Sequence, residues 1–365
     1  MNRNSKKMLL YVGTYTSRGS EGIYVYEFDA ETGALGHLHT VRDVVEPSFL
    51  AIDKAEKYLY AVNETEEYEG EKSGAVSAFA IDQKTGALKF LNKRPSLGGA
   101  PCHISVSNNG KFALAANYLG GNVSVFPIEP DGRLGAAVDM HRHSGSGPNK
   151  KRQEAAHAHS INLDSENRFA MVCDLGIDRV FIYRFDADGG RLRPNPAQSF
   201  YQTKPGAGPR HFAFHPNEQL AFVINELDAT VTSLRFDAKQ GTLAEIQTVS
   251  TLPGDFTGEN ICADLHASPN GRFLYGSNRG HDSIVVYRID EATGRLNYVE
   301  HAPTGGKTPR NFAIAPNGRF LLAANQDSDS ITVFSIDENS GRLSPTGVKA
   351  EVSMPVCLKL IPAFS

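Results

Sequence analysis

His159, Arg210, Glu226, Arg279 and Arg310 stand at two recurring positions of a repeated segment, and at those positions the other copies carry different residues. Guanidinium forks suit carboxylate or phosphate groups, and a neutral imidazole can take up a proton near pH 7. Aiming so many charges inward is costly unless they pair with one another or with a ligand. His157 precedes His159 by two and, by strand alternation, shares its face. His103 and His211 hold the position just after the first recurring one. The His157-x-His159 pair would suit a metal, but a third ligand is not evident and catalytic metal sites usually have three. Neither metal nor cofactor is expected. The competing reading of Arg210 and Glu226 is an ion network that only knits the scaffold.

The elements that must position these residues are written seven times. Each copy runs Pro, an apolar-alternating stretch, a Pro/Asn/Gly turn, Phe or Tyr, an apolar run, Asn, another alternating stretch and Gly-x-Leu. The residue after the turn is Tyr58, Phe112, Phe169, Leu220, Phe273 or Phe320, and five residues later comes Asn63, Asn117, Asp174, Asn225, Asn278 or Asn325. Ten residues before the first set lie Ser48, Cys102, His159, Arg210, Ala263 and Arg310. A copy of about fifty residues with about four short strands has the size of one propeller blade. The seventh copy is split: Leu9–Thr14 and Gly22–Leu38 at one end, Pro355–Pro362 at the other. We therefore expect one all-β domain over residues 1–365, a seven-bladed β-propeller of four-stranded blades. Its ring spans 8–362, closed by the C-terminal strand joining the N-terminal blade, and Met1–Lys7 is a flexible tail.

In such a blade the first strand lines the channel and the second returns beside it, so the start of one and the end of the other meet at one rim. Two columns converge there. The first holds Ser48, Cys102, His159, Arg210, Ala263, Arg310 and Val356; the second holds Tyr15, Glu64, Tyr118, Leu175, Glu226, Arg279 and Gln326. The Asn or Asp beside the second column recurs in six blades, which marks it as scaffold, a side-chain cap on a turn. The insertion 138–155 (VDMHRHSGSGPNKKRQEA) breaks the metre on the same rim. Its Arg142, His143, Lys150, Lys151 and Arg152 would place positive charge over the mouth, with 144–151 a solvated, mobile tip.

Composition agrees with an all-β chain: 34 Gly, 19 Pro, 13 Tyr and 20 Phe, with no window of helical apolar periodicity. A formal charge of −4 gives no pull toward nucleic acid or anionic membrane. No segment approaches transmembrane length. The basic start and short apolar patch of MNRNSKKMLLYVGTYT imitate a signal peptide, but the patch doubles as a strand. Cys102, Cys173, Cys262 and Cys357 lack CxxC spacing and read as buried thiols of a cytoplasmic protein.

The strings GAGPRHFAFHPN (206–217), VINEL (223–227), TLPGDFTGEN (251–260), SNRGHDSI (277–284) and GGKTPRNFAIAPNGRFLLAANQDSDSI (305–331) resemble the propeller-type lactonase family. AHAHSINLD (156–164) and VCDLGIDRV (172–180) fit it too, and the likeness runs from Leu9 to Pro362. That family includes bacterial 6-phosphogluconolactonase and the fungal carboxy-muconate lactonising enzyme. The resemblance implies a seven-bladed fold and an active-site set of one His, two Arg and one Glu. Carried across, these are His159, Arg210, Glu226 and Arg279.

The expected activity is hydrolysis of a sugar lactone, 6-phospho-D-glucono-1,5-lactone first among them. His159 is the expected general base and Glu226 its positioning partner, with the reverse assignment open; Arg210 and Arg279 serve the oxyanion or the substrate's anionic groups. His157, His103, His211 and Arg310 are expected to bind substrate. A small-molecule lactone is the expected partner, with no nucleic acid or membrane. The alternatives are a muconate-type lactonising enzyme and a non-catalytic propeller binding a partner on its rim.

Overall fold

The structure, a computed structural model, describes residues 6–363. Its strands form seven antiparallel sheets, each ordered as a meander. Blade one joins Pro355–Pro362 to Lys7–Thr14, Gly22–Asp29 and Leu35–Arg42. Blade two is Leu50–Ile52, Tyr58–Asn63, Ala75–Ile81 and Leu88–Pro95, and blade three Pro101–Val106, Phe112–Asn117, Asn122–Pro127 and Asp139–Arg142. Blade four is Ala158–Leu163, Phe169–Asp174, Arg179–Asp186 and Arg191–Pro194, with a fifth strand, Phe200–Gln202, that also pairs with the third. Blade five is Pro209–Phe214, Leu220–Asn225, Thr230–Asp237 and Thr242–Ser250. Blade six is Ile261–Ala267, Phe273–Arg279, Ser283–Ile289 and Leu296–Pro303; blade seven is Pro309–Ile314, Phe320–Asn325, Ser330–Ile336 and Leu343–Glu351.

By compactness the chain divides into two units. One comprises Met1–Val44, Ala213–Arg235 and Glu245–Ser365; the other comprises Val45–Phe212 and Phe236–Ala244. No helix among the described residues is long and apolar enough to cross a membrane.

Within each unit the apolar residues of consecutive blades pack face to face. Phe320, Leu322 and Ala324 of blade seven meet Leu10, Val12 and Phe28 of blade one. Leu114, Ala116 and Val125 of blade three meet Ile161, Val172 and Tyr183 of blade four. A blade is thus apolar on both faces, which is why its second strands (FALAAN, LAFVIN, FLLAAN) are almost continuously buried rather than alternating.

The Gly-x-Leu signature turns the third strand into the fourth and also joins blades. Gly132 has a φ of 85°, and a Cβ there would lie 2.1 Å from the Tyr58 ring of the preceding blade. Gly341, φ 77°, meets Phe273 of the blade before it at 2.4 Å. The same contact recurs between Gly190 and Phe112 and between Gly241 and Phe169. The aromatic after each turn and the glycine of the next blade are two halves of one junction. Only a residue with no side chain lets them close.

The C-terminal strand pairs with the first as expected, from Met8 opposite Pro362 to Thr14 opposite Pro355. The proposed tail falls partly on residues 1–5, which lie outside the described residues. Lys6 and Lys7 depart from it: the Lys6 carbonyl accepts from Ala30, and Lys7 opens the strand, paired with Asp29. The segment 138–155 departs as well. Its start, Asp139–Arg142, is the outer strand of blade three, paired with Asn122–Val125. Its tip is exposed, but Gln153 is wholly buried and donates to Leu175 O at 2.9 Å and Asp178 Oδ1 at 2.7 Å. His143, expected over the mouth, is buried instead, its Nδ1 2.6 Å from Asp174 Oδ2 and its Nε2 2.9 Å from the Tyr183 hydroxyl. A polar run of this composition reads as a loop until its partners across the ladder are known.

The recurring Asn is scaffold, though only Asp174 caps a turn, through Gly176 N at 3.1 Å. Asn117 Nδ2 donates to Ser96 O at 3.0 Å and Asn278 Nδ2 to Thr251 O at 2.8 Å. Each reaches the connector that enters its blade, so the side chain stitches one blade to the next.

Candidate active site

A β-bulge marks the first column. In blade four Ala158 lies opposite Asp174 and Ser160 opposite Cys173, so the register shifts at His159. Cys102 is skipped in the same way between Pro101 and His103, Arg310 between Pro309 and Asn311, and Val356 between Pro355 and Cys357. In blade six the skipped residues are Ala263 and Asp264, opposite Ser277. A bulge frees a residue from the ladder and re-aims its side chain. The residue before each entering proline is strained too: Glu46, Ala100, Thr308 and Met354 have φ of 44°, 50°, 58° and 45°. That left-handed region is unfavourable for residues with a side chain, and proline normally drives its predecessor toward extended backbone.

The residue after the bulge serves the scaffold. A first strand is an edge, with N–H groups lacking ladder partners, and the neighbouring blade supplies acceptors for them. His103 Nδ1 accepts from Ile161 N at 3.3 Å, Asn311 Oδ1 from Leu358 N at 2.7 Å, and Asp264 Oδ2 from Phe312 N at 3.4 Å. Asp264 also accepts from Asn311 Nδ2 and lies 2.9 Å from His266 Nε2. Only 2 % exposed, it is a buried carboxylate one position past the first column, and its sequence signal is that it stands where other blades carry His103 and His211.

In the unit that holds blades two to four, His159 and His211 meet edge to face at 5.4 Å, and His211 meets His103 at 5.6 Å. Phe49 stacks on His103 at 4.3 Å. Arg210, 2 % exposed, has Nη1 at 3.2 Å from His211 Nε2. Cys102 Sγ lies 3.7 Å from His159 Nδ1. His159, His103, His211 and Arg210 thus form one buried cluster. His157 is turned elsewhere: Nδ1 donates to Tyr118 O at 3.0 Å and Nε2 meets Glu154 Oε1 at 2.9 Å. The expected shared face of His157 and His159 is not kept, since the strand begins at Ala158 and is bulged at once. The Glu154 carboxyl is held below the usual range by its own backbone N–H and by His157.

In the other unit Glu226 and Arg279 form a buried pair, Oε2 to Nη2 2.7 Å, and the same Nη2 donates to Cys262 O at 2.7 Å. Cys262 N in turn donates to Glu226 O at 3.1 Å, so backbone and side chains close on one another. Arg310 lies over the Tyr15 ring at 5.3 Å, a cation–π contact between the two columns. In blade two the equivalent of Glu226, Glu64, is held by the Ser48 hydroxyl. Among the described residues no group of three His, Cys, Asp or Glu could hold a metal ion. All four cysteines are free and buried, and burial pushes the thiols of Cys173 and Cys262 up to about 12.

An all-β chain of seven meandering, mostly four-stranded sheets defines a class, the β-propellers. Residues 9–360 match the family model described as lactonase, 7-bladed beta-propeller, and the chain belongs to that family. It is 41 % identical over 306 residues to a 6-phosphogluconolactonase of Bacillus subtilis, covering 84 % of each chain. A 6-phosphogluconolactonase of Formosa agariphila is 36 % identical over 84 % of this chain and 86 % of its own. Among solved structures, a periplasmic gluconolactonase of Pseudomonas aeruginosa is similar with a TM-score of 0.91 at 34 % identity, covering 98 % of this chain and 99 % of that one.

Proposed function

We propose that the protein hydrolyses a sugar lactone, 6-phospho-D-glucono-1,5-lactone before others, with His159, Arg210, Glu226 and Arg279 acting on one substrate. The observation that carries this reading is the bulge at His159. It re-aims a histidine at a position that the other copies fill with Ser, Cys, Arg, Ala or Val, and it does so in a member of a lactonase family whose relatives include 6-phosphogluconolactonases.

In this scheme His159 takes a proton from the attacking water, and the new C–O bond forms as the carbonyl electrons move onto oxygen. Arg210 and Arg279 stabilise that oxyanion, the largest single aid to acyl hydrolysis. Collapse then expels the ring oxygen, which recovers the proton, and the lactone becomes a hydroxy acid. Glu226 holds the Arg279 guanidinium in place, pre-aligned before substrate arrives. His103 and His211 line the cluster on the substrate side, and Arg310 helps to bind the substrate. Four buried thiols without disulfides support a reducing compartment, which cell fractionation checks.

The test is a lactone panel assayed with and without chelator, following acid release above the spontaneous rate. Turnover of glucono-type lactones that survives chelation is expected. Activity on a carboxymuconate alone, or no activity on any lactone, would sink the reading.

A further inference from the structure

We propose that Arg152, docked on Tyr118, is the residue that selects lactones bearing an anionic group remote from the carbonyl; this deepens the lactonase reading and rests on it. Tyr118 belongs to the second column, and its ring touches both histidines of blade four. It lies flat on His157, 4.4 Å away at 12°, and meets His159 edge to face at 5.6 Å. Its hydroxyl accepts from Arg152 Nη2 at 3.3 Å. The guanidinium therefore sits across one tyrosine from His159, a separation that suits a hexose with its carbonyl at one end and an anion at the other.

Three features set Arg152 apart from the other cations of its segment. Arg142 is spent on the rim, donating to Gly120 O at 2.7 Å. Lys150 and Lys151 are exposed on the tip. Arg152 is half-buried, and its neighbour Gln153 is clamped by Leu175 O and Asp178 Oδ1. A guanidinium already ordered loses less entropy on binding an anion, and its planar fork matches phosphate or carboxylate. Glu154, whose carboxylate feels the Arg152 charge, faces His157 at 2.9 Å, which offsets its repulsion of an anionic substrate.

The experiment measures kcat/KM for 6-phosphoglucono-1,5-lactone and for unphosphorylated glucono-1,5-lactone, and reads their ratio. Arg152→Met should lower the ratio about tenfold or more, mostly through KM of the phosphorylated lactone. Tyr118→Phe should lower it less, because the ring remains and only the docking hydroxyl is lost. Lys151→Met should leave it unchanged. A ratio that holds in Arg152→Met, or both lactones failing equally, overturns the proposal. So does a ratio that collapses in Arg310→Ala but not in Arg152→Met, which moves selection to Arg310. A wild-type chain inactive on both lactones sinks the lactonase reading itself, and this inference with it.

Discussion

Arg279, the last residue of blade six's second strand, and Glu226, just past that of blade five, meet at 2.7 Å with side chains only 8 % and 3 % exposed. Removing one partner of such a pair strands a buried charge, which costs about 3–5 kcal/mol. Arg279→Ala should therefore lose stability and, with an oxyanion donor gone, about a hundredfold or more in kcat. The double variant Glu226→Gln/Arg279→Met should regain much of the stability and none of the activity. Chemical denaturation beside lactone turnover separates the two effects. A double variant as unstable as the single one would show that the pair's charge is not what the fold feels.

His159 makes a different prediction, because cutting back its side chain leaves the bulged backbone in place. His159→Ala should keep the wild-type melt and lose about a hundredfold or more in kcat, as removal of a general base does. Arg310→Ala, altering a residue stacked on Tyr15, should raise KM and spare kcat. Wild-type turnover in the His159 variant would refute the base assignment.

The eight residues Pro355–Pro362 supply the inner strand of blade one. Deleting Val356–Ser365 exposes the edge of Lys7–Thr14 and uncovers Leu10 and Val12, both fully buried. Loss of the cooperative transition is expected in calorimetry, and a soluble truncated chain with an unchanged melt would refute the closure.

His301 gives a pH signature. Burial holds its pKa below the usual 6.5; Nε2 lies 2.9 Å from Thr251 O and Nδ1 3.0 Å from the Tyr298 hydroxyl. The unfolded chain then binds this proton more readily than the folded one. The stability contribution is full above about pH 6.5 and is lost as pH falls toward the depressed folded value. His301→Asn should flatten that slope, read as urea midpoints from pH 7 to pH 5. Identical slopes for both proteins would discard the assignment.

The blades, their order and the split first blade are legible in the sequence because strand period, turn residues and Gly-x-Leu all repeat. The column holding His159 and Arg310 is legible for the opposite reason, its failure to repeat. The bulge that aims it leaves no sequence mark, since one residue too many in a strand looks like ordinary alternation. Hence alternation alone puts His157 beside His159, and Asp264 does not stand out. His143 reads as a loop residue because nothing local announces Asp174 and Tyr183, 31 and 40 positions away, as its partners.

Blade one also sets an order of events during biosynthesis. Lys7–Thr14 leaves the ribosome far ahead of its partner Pro355–Pro362. At about 5–20 residues per second, the early strand waits on the order of half a minute with one edge open. Six blades can mature in sequence behind it, but the apolar face carrying Leu10 and Val12 stays unsheltered until Pro355–Pro362 emerges. Chaperone demand should therefore concentrate on the hairpin of Lys7–Thr14 and Gly22–Asp29, the first part of the ring to be made and the last to become native.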